Sequence, residues 1–143
     1  MAIAIPTNQI LSMQQIEAVV AGPDGANRLY TVTGQLNVGF RLNGQADAWN
    51  PQDETYTALI GPVFVRRQFI SAIASASLAG TSFWFQGAAP YSAGWNVTDY
   101  DADWDDNSGQ VRLMVGVSAQ VTGANNSVTL GAVAFHATIL AEM

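Results

Sequence analysis

The sequence predicts an all-β fold: a single-domain antiparallel β-sandwich, jelly-roll-like, of about eight strands. Three observations carry that reading. Apolar and polar residues alternate in run after run, the period of a strand with one covered face. Turn-forming clusters, among them Gly22-Pro23-Asp24-Gly25, Asn43-Gly44 and Asp106-Asn107-Ser108-Gly109, break those runs at short intervals. The stretch from Trp95 to Val121 also zips on paper into one hairpin whose register sorts its side chains into two sets.

With residues 106–109 as the hairpin loop, Asp105 faces Gln110. Counting outward, Trp104 meets Val111, Ala102 meets Leu113, Tyr100 meets Val115 and Thr98 meets Val117, a largely apolar side. The other side pairs Asp103 with Arg112, Asp101 with Met114 and Asp99 with Gly116. A slip of one residue would drive aspartates into the core.

In chain order, residues 2–5 suit a short edge strand stopped by Pro6, which has no N–H to give a ladder. Alternation over 13–21 predicts a strand, closed by the turn at Gly22-Pro23-Asp24-Gly25. The clearest strand follows: Tyr30, Val32, Leu36, Val38, Phe40 and Leu42 share one face, and Gly34 interrupts that row where a bend or a close approach is expected. Asn43-Gly44 suits a type I′ turn, with a short return strand at 45–49, a loop at 50–55 and a strand at 56–60 ended by Gly61-Pro62.

The stretch 63–78 carries two signals. Alanines with Phe69, Ile70 and Ile73 at helical spacing and Gly80 at the end describe a short helix at 66–79. Its β-branched residues and serines, in a β-patterned chain, describe a strand, which is the preferred reading. Phe83-Trp84-Phe85 suits a strand covered on both faces. In the last strand, 128–140, the apolar row changes from even to odd numbers at Gly131-Ala132, which calls for a bulge there. Its reverse face, Ala134, His136, Thr138 and Leu140, is small or apolar.

Composition narrows the chemistry. At 143 residues the chain can bury a core without staples, and with no cysteine it has neither disulfides nor thiolate metal sites. The absence of lysine removes Schiff-base and P-loop chemistry. His136 is the only histidine and reads as a structural strand residue; no G-x-S-x-G elbow is present. A two-carboxylate glycosidase is compatible with the inventory, and a non-enzymatic protein is expected.

The five basic residues are all arginines and the net charge is −6, so nucleic acid and anionic membranes are poor partners. No signal-peptide pattern opens the chain and no apolar run approaches the ~20 residues of a membrane span. Cytosolic synthesis without membrane insertion is expected, with a virion or a lysed culture as the route outside.

Two groups of residues are candidate sites. Asp99, Asp101 and Asp103 would form a column of like charge, and at the tip Asp103, Asp105, Asp106 and Asn107 offer the oxygens a calcium ion takes. The spacing is not that of an EF-hand, since Trp104 and Gln110 fall where glycine and glutamate are required. The plainer reading is a solvated acidic edge that discourages strand pairing, and no other cofactor is expected. The second group is Trp49 beside Asp47 and Asn50, and Tyr91 and Trp95 in PYSAGWN, where rings could stack on a sugar while amides and carboxylates take its hydroxyls. Trp95 and Trp104 fit the core equally well. The sequons at Asn96 and Asn125 read as chance matches.

The run VRLMVGVSAQVTG, residues 111–123, resembles a core strand of H-type lectins, small β-sandwich proteins that assemble into sugar-binding oligomers. That resemblance implies a lectin-like oligomeric carbohydrate-binding protein. The composition points elsewhere first. Only 11% of residues are charged, less than half the roughly 25% of an ordinary soluble domain, while 49% are hydrophobic. Surface buried beyond one subunit is the expected consequence. The leading expectation is therefore a self-assembling structural component, a phage virion or shell-type subunit, whose partner is itself.

Overall fold

The computed structural model describes residues 2–45, 50–86, 89–90 and 92–143, and two four-stranded sheets pack face to face. Sheet 1 runs β1 (Ala2–Ala4), β4 (Gln52–Ile60), β7 (Gln110–Val121), β6 (Ala93–Asp105). Sheet 2 runs β2 (Ile10–Gly22), β3 (Gly25–Asn43), β8 (Ser127–Glu142), β5 (Phe69–Trp84). Neighbours are antiparallel except β1, which lies parallel to β4. The chain changes sheet at every connection but the hairpins β2–β3 and β6–β7.

The four inner strands build the core. Val32 and Leu36 of β3, Val133, Ala137 and Ile139 of β8, and Val111, Leu113, Val115 and Val117 of β7 are completely covered, with Ile60 and Tyr56 of β4 beside them. These are the odd or even residues of each alternating run, so the period-2 pattern is what the core reads. Burial pushes the Tyr56 hydroxyl up to about 12, with Glu54 nearby acting in the same direction. Gly34 is a close approach, as expected. A Cβ there would sit 3.1 Å from the Phe135 ring and 3.1 Å from Ile10.

Several elements differ from the sequence reading. Residues 66–79 form no helix: a single 3-10 turn at Arg66–Gln68 leads directly into β5, because β8 offers a full ladder partner from Ala141 to Ser127. Instead of a loop at 50–55, β4 starts at Gln52, whose polar first residues pair with Ala119 to Gly116 of β7 at the sandwich end. Phe83, Trp84 and Phe85 are not covered on both faces; all three are exposed. Gln45 makes an isolated bridge to Thr122, and the rest of the expected return strand lies outside the described residues.

The change of phase in the last strand is real, but the extra residue lies on β3. Between Asn37 and Phe40 the β3–β8 register slips, with Gly39 at φ +62°. On the other flank Gly80, at φ +65°, stands beside Gly131, and β5 stays in step with β8. Three glycines thus lie across three adjacent strands at this slip, two of them in the left-handed region that costs glycine little.

Candidate functional site

The acidic hairpin folds in the counted register over most of its length. Trp104 pairs with Val111, Asp103 with Arg112, Ala102 with Leu113, Asp101 with Met114, Tyr100 with Val115 and Asp99 with Gly116. Beyond this a bulge at Thr98 puts Val97, not Thr98, opposite Val117. Tyr100 is on the inner side yet 49% exposed, since it lies on an edge strand. Trp104 is held by rings: Phe64 at 5.2 Å and Phe69 at 5.7 Å between centroids.

At the tip, the carboxylates serve the protein's own donors. Asp105 Oδ2 accepts from the Ser108 N–H (2.9 Å), and Arg112 lies 3.8 Å from Asp105 Oδ1, reaching diagonally rather than to Asp103 opposite. Asp106 Oδ1 accepts from the Trp104 indole N–H and Asp103 Oδ1 from the Trp104 amide, both at 2.7 Å. The Ser108 hydroxyl first, then the Ser108 N–H and the Arg112 charge, hold the Asp105 carboxyl below its ordinary range against the opposing effect of burial. Asp103, Asp105, Asp106 and Asn107 do share the tip, but among the described residues no group of three or more carboxylates or histidines converges as a cation requires. The column Asp99, Asp101, Asp103 points to solvent.

The described residues that flank the sugar-type candidates, Gly44, Asn50, Gln86 and Ser92, lie at the opposite end of the sandwich, tied to residues 121–126. The Asn50 side chain donates to Asn43 O (2.9 Å) and accepts from the Val121 N–H (3.3 Å), so it clamps its loop. Ser92 and Thr122 exchange hydrogen bonds, Gln86 donates its N–H to Asn126 Oδ1 (3.1 Å), and Gly44 donates to Asn126 O (2.8 Å). Trp95 stands edge-on to Phe40 at 5.0 Å and 89°, and its indole nitrogen is buried with no partner among the described residues. The ring is half-buried: one part packs on the core, and another lines a shallow hollow with Asn96, Ser118 and Gln120. Asp47, Trp49 and Tyr91 lie outside the described residues.

That same end holds a polar cleft of about 360 Å³ that the sequence reading missed, lined by Arg41, Asn43, Gln86, Asn125, Asn126 and the 61%-exposed Trp84. The signal was present: three successive aromatics on a strand cannot all face one core. A second hollow of about 420 Å³, beside Ile5, Pro6, Ala58 and Leu59, is mainly apolar and contains Arg112 but no carboxylate.

The third feature is the outer face of sheet 2. Ile16 (67% exposed), Ala18 and Val20 of β2, Leu29, Thr31 and Thr33 of β3, Leu140, Thr138, His136 and Ala134 of β8, and Ile73 (71% exposed), Ser75 and Ser77 of β5 lie side by side. Between Arg41 at one end and Glu142 at the other, this face has no carboxylate or guanidinium. His136 is exposed on it with Thr33 and Ser75 as cross-strand neighbours, which gives it no acid to form a catalytic pair. Comparison of the chain with protein-family models, curated proteins and solved structures gives no match.

Proposed function

We propose that this protein is a non-enzymatic, self-assembling β-sandwich, a structural subunit of the virion or shell type, that works through the outer face of sheet 2. The observation that supports this reading is the exposure of Ile16 and Ile73 on a broad face without formal charge, in a chain whose acids cluster elsewhere. Covering an isoleucine contributes roughly 1.5–3 kcal/mol, so two such residues per copy, with the alanines and threonines between them, supply a driving force of useful size. Light scattering across a concentration series should give masses above one chain, lowered by Ile73→Arg with an unchanged melting temperature. A wild-type protein that stays a single chain throughout would refute the reading.

A second reading has its own observation. Trp84 offers an open ring at the mouth of a cleft lined by amides and a guanidinium, which suits a sugar bearing hydroxyls or a carboxylate. It predicts hits on a glycan array and quenching of tryptophan fluorescence, both lost in Trp84→Ala. An array without hits would leave the cleft as a surface feature only.

A further inference from the structure

Self-association, as proposed above, needs a contact that both copies can make at once, and the free edge of β2 has the required symmetry. β2 is a long edge strand with a single charge, Glu17, and no proline. Proteins ordinarily blunt such edges with charges, prolines or a cover. Here β2 overhangs the sandwich and is open on both faces: Ile16 outside, Val19 (61% exposed) inside. Ser12, at φ +53°, marks the slip in register between Leu11 and Gln14, so the regular free run is residues 14–22.

The hairpin fixes which backbone groups of that run are free. Its two-residue loop makes Gly22 and Gly25 a hydrogen-bonded pair. By alternation Val20, Ala18 and Ile16 bond to β3, while Ala21, Val19, Glu17 and Gln15 turn their N–H and C=O groups to the open edge. We infer that a second copy of this chain pairs antiparallel along this edge, about a two-fold axis through Ala18, to make one continuous eight-stranded sheet from two copies of sheet 2.

The register follows from parity and charge. A two-fold axis perpendicular to the sheet keeps each copy's outer face on the same side, so it must pass through a residue that opposes itself. An axis through Glu17 would set two carboxylates opposite each other, which is repulsive. An axis through Ala18 sets Ile16 against Val20 of the second copy, Glu17 against Val19 and Gln15 against Ala21, and every open N–H and C=O from 15 to 21 finds a partner. Glu17 keeps its own Arg28 at 3.5 Å on the β3 side, so neither copy brings an uncompensated charge to the join. The outer faces of the two sheets become one surface. With about nine residues a side, against the roughly 20–30 of a standard interface, the pairing alone is weak and reversible.

The chain has no cysteine, which makes a crosslink decisive. Opposed residues of a non-hydrogen-bonded pair bring their Cα atoms within disulfide range. Ala18→Cys should therefore give a disulfide-linked dimer on mild oxidation, while Glu17→Cys and Val19→Cys stay mostly monomeric. Val19→Pro removes an N–H used only by the second copy. In an Ile73→Arg background, where the outer face no longer contributes, it should lower the mass on light scattering from twice the chain mass to once, with circular dichroism unchanged. Assembly that survives Val19→Pro, with no crosslink through Ala18→Cys, would overturn this edge while leaving self-association through the outer face intact. Crosslinking only through Val19→Cys would overturn the register. A wild-type chain that is monomeric at several hundred micromolar, its edge left to solvent or to a foreign strand, would overturn both.

Discussion

Each sheet carries a long hairpin whose first strand lies at the sheet edge: β6 with β7 in sheet 1, β2 with β3 in sheet 2. The acidic hairpin is guarded. β6 packs against β5, has a bulge at Thr98 and projects Asp99, Asp101 and Asp103 into solvent, while its tip is tied to Phe64 and Gly61 by hydrogen bonds from Phe64 N–H to Gly109 O and from Gln110 Nε2 to Gly61 O. The strand β2 has one carboxylate, apolar residues on both faces and, among the described residues, no strand on its open side. The same supersecondary unit can therefore close a sheet or leave it open to extension, and the spacing of charges along the edge decides which.

The guarded hairpin is the more sensitive of the two to truncation. Trp104→Ala removes a ring packed on Phe64 and Phe69 and the indole bond to Asp106, and should cost toward the lower end of the roughly 3–5 kcal/mol typical of such truncations, read by urea unfolding. On the other hairpin, Gly34→Val forces a branched side chain against Phe135 and Ile10. It should cost about 1–3 kcal/mol by overpacking, which would show that β3 is anchored even though β2 is not. Ile16→Arg should leave the melting temperature of the single chain within a degree or two, since exposed substitutions rarely exceed about 0.5 kcal/mol, yet reduce association.

The smallest effect concerns pH. Asp105 has a folded value below its unfolded one, so its contribution is complete above the ordinary carboxylate range and is lost as pH falls through the lowered folded value. Asp105→Asn should flatten the acid limb of the stability curve. Calcium or EDTA should leave the melting temperature of either protein unchanged, because the tip oxygens already accept from Ser108 and Trp104.

Much of this was legible in the sequence where two constraints coincided. Residues 99–115 were readable because the turn and the alternation fix the same register. Thr98 escaped because Thr and Asp are equally at home on an outer face, so nothing in the side chains marks the extra residue. The phase change near Gly131 was visible, but alternation in one strand cannot say which neighbour supplies the slack, and Gly39 on β3 does. The strand at 69–84 was ambiguous because alanine and serine suit either backbone until a partner such as β8 is present. For the sites, hydrophobicity told that Phe83 to Phe85 are apolar but not that all three stay exposed, and so the cleft beside Trp84 went unread. Asn50 also bonds to Asn43 and to Val121, the latter 71 positions away, a structural part that local sequence does not reveal.

The difference between the two edges is tested most directly by amide hydrogen exchange at two protein concentrations, one dilute and one of several hundred micromolar. The open amides of Gln15, Glu17, Val19 and Ala21 should exchange fast when dilute and slow markedly when concentrated, while those of β6 keep one rate. Equal, fast exchange of the four β2 amides at both concentrations would contradict the account.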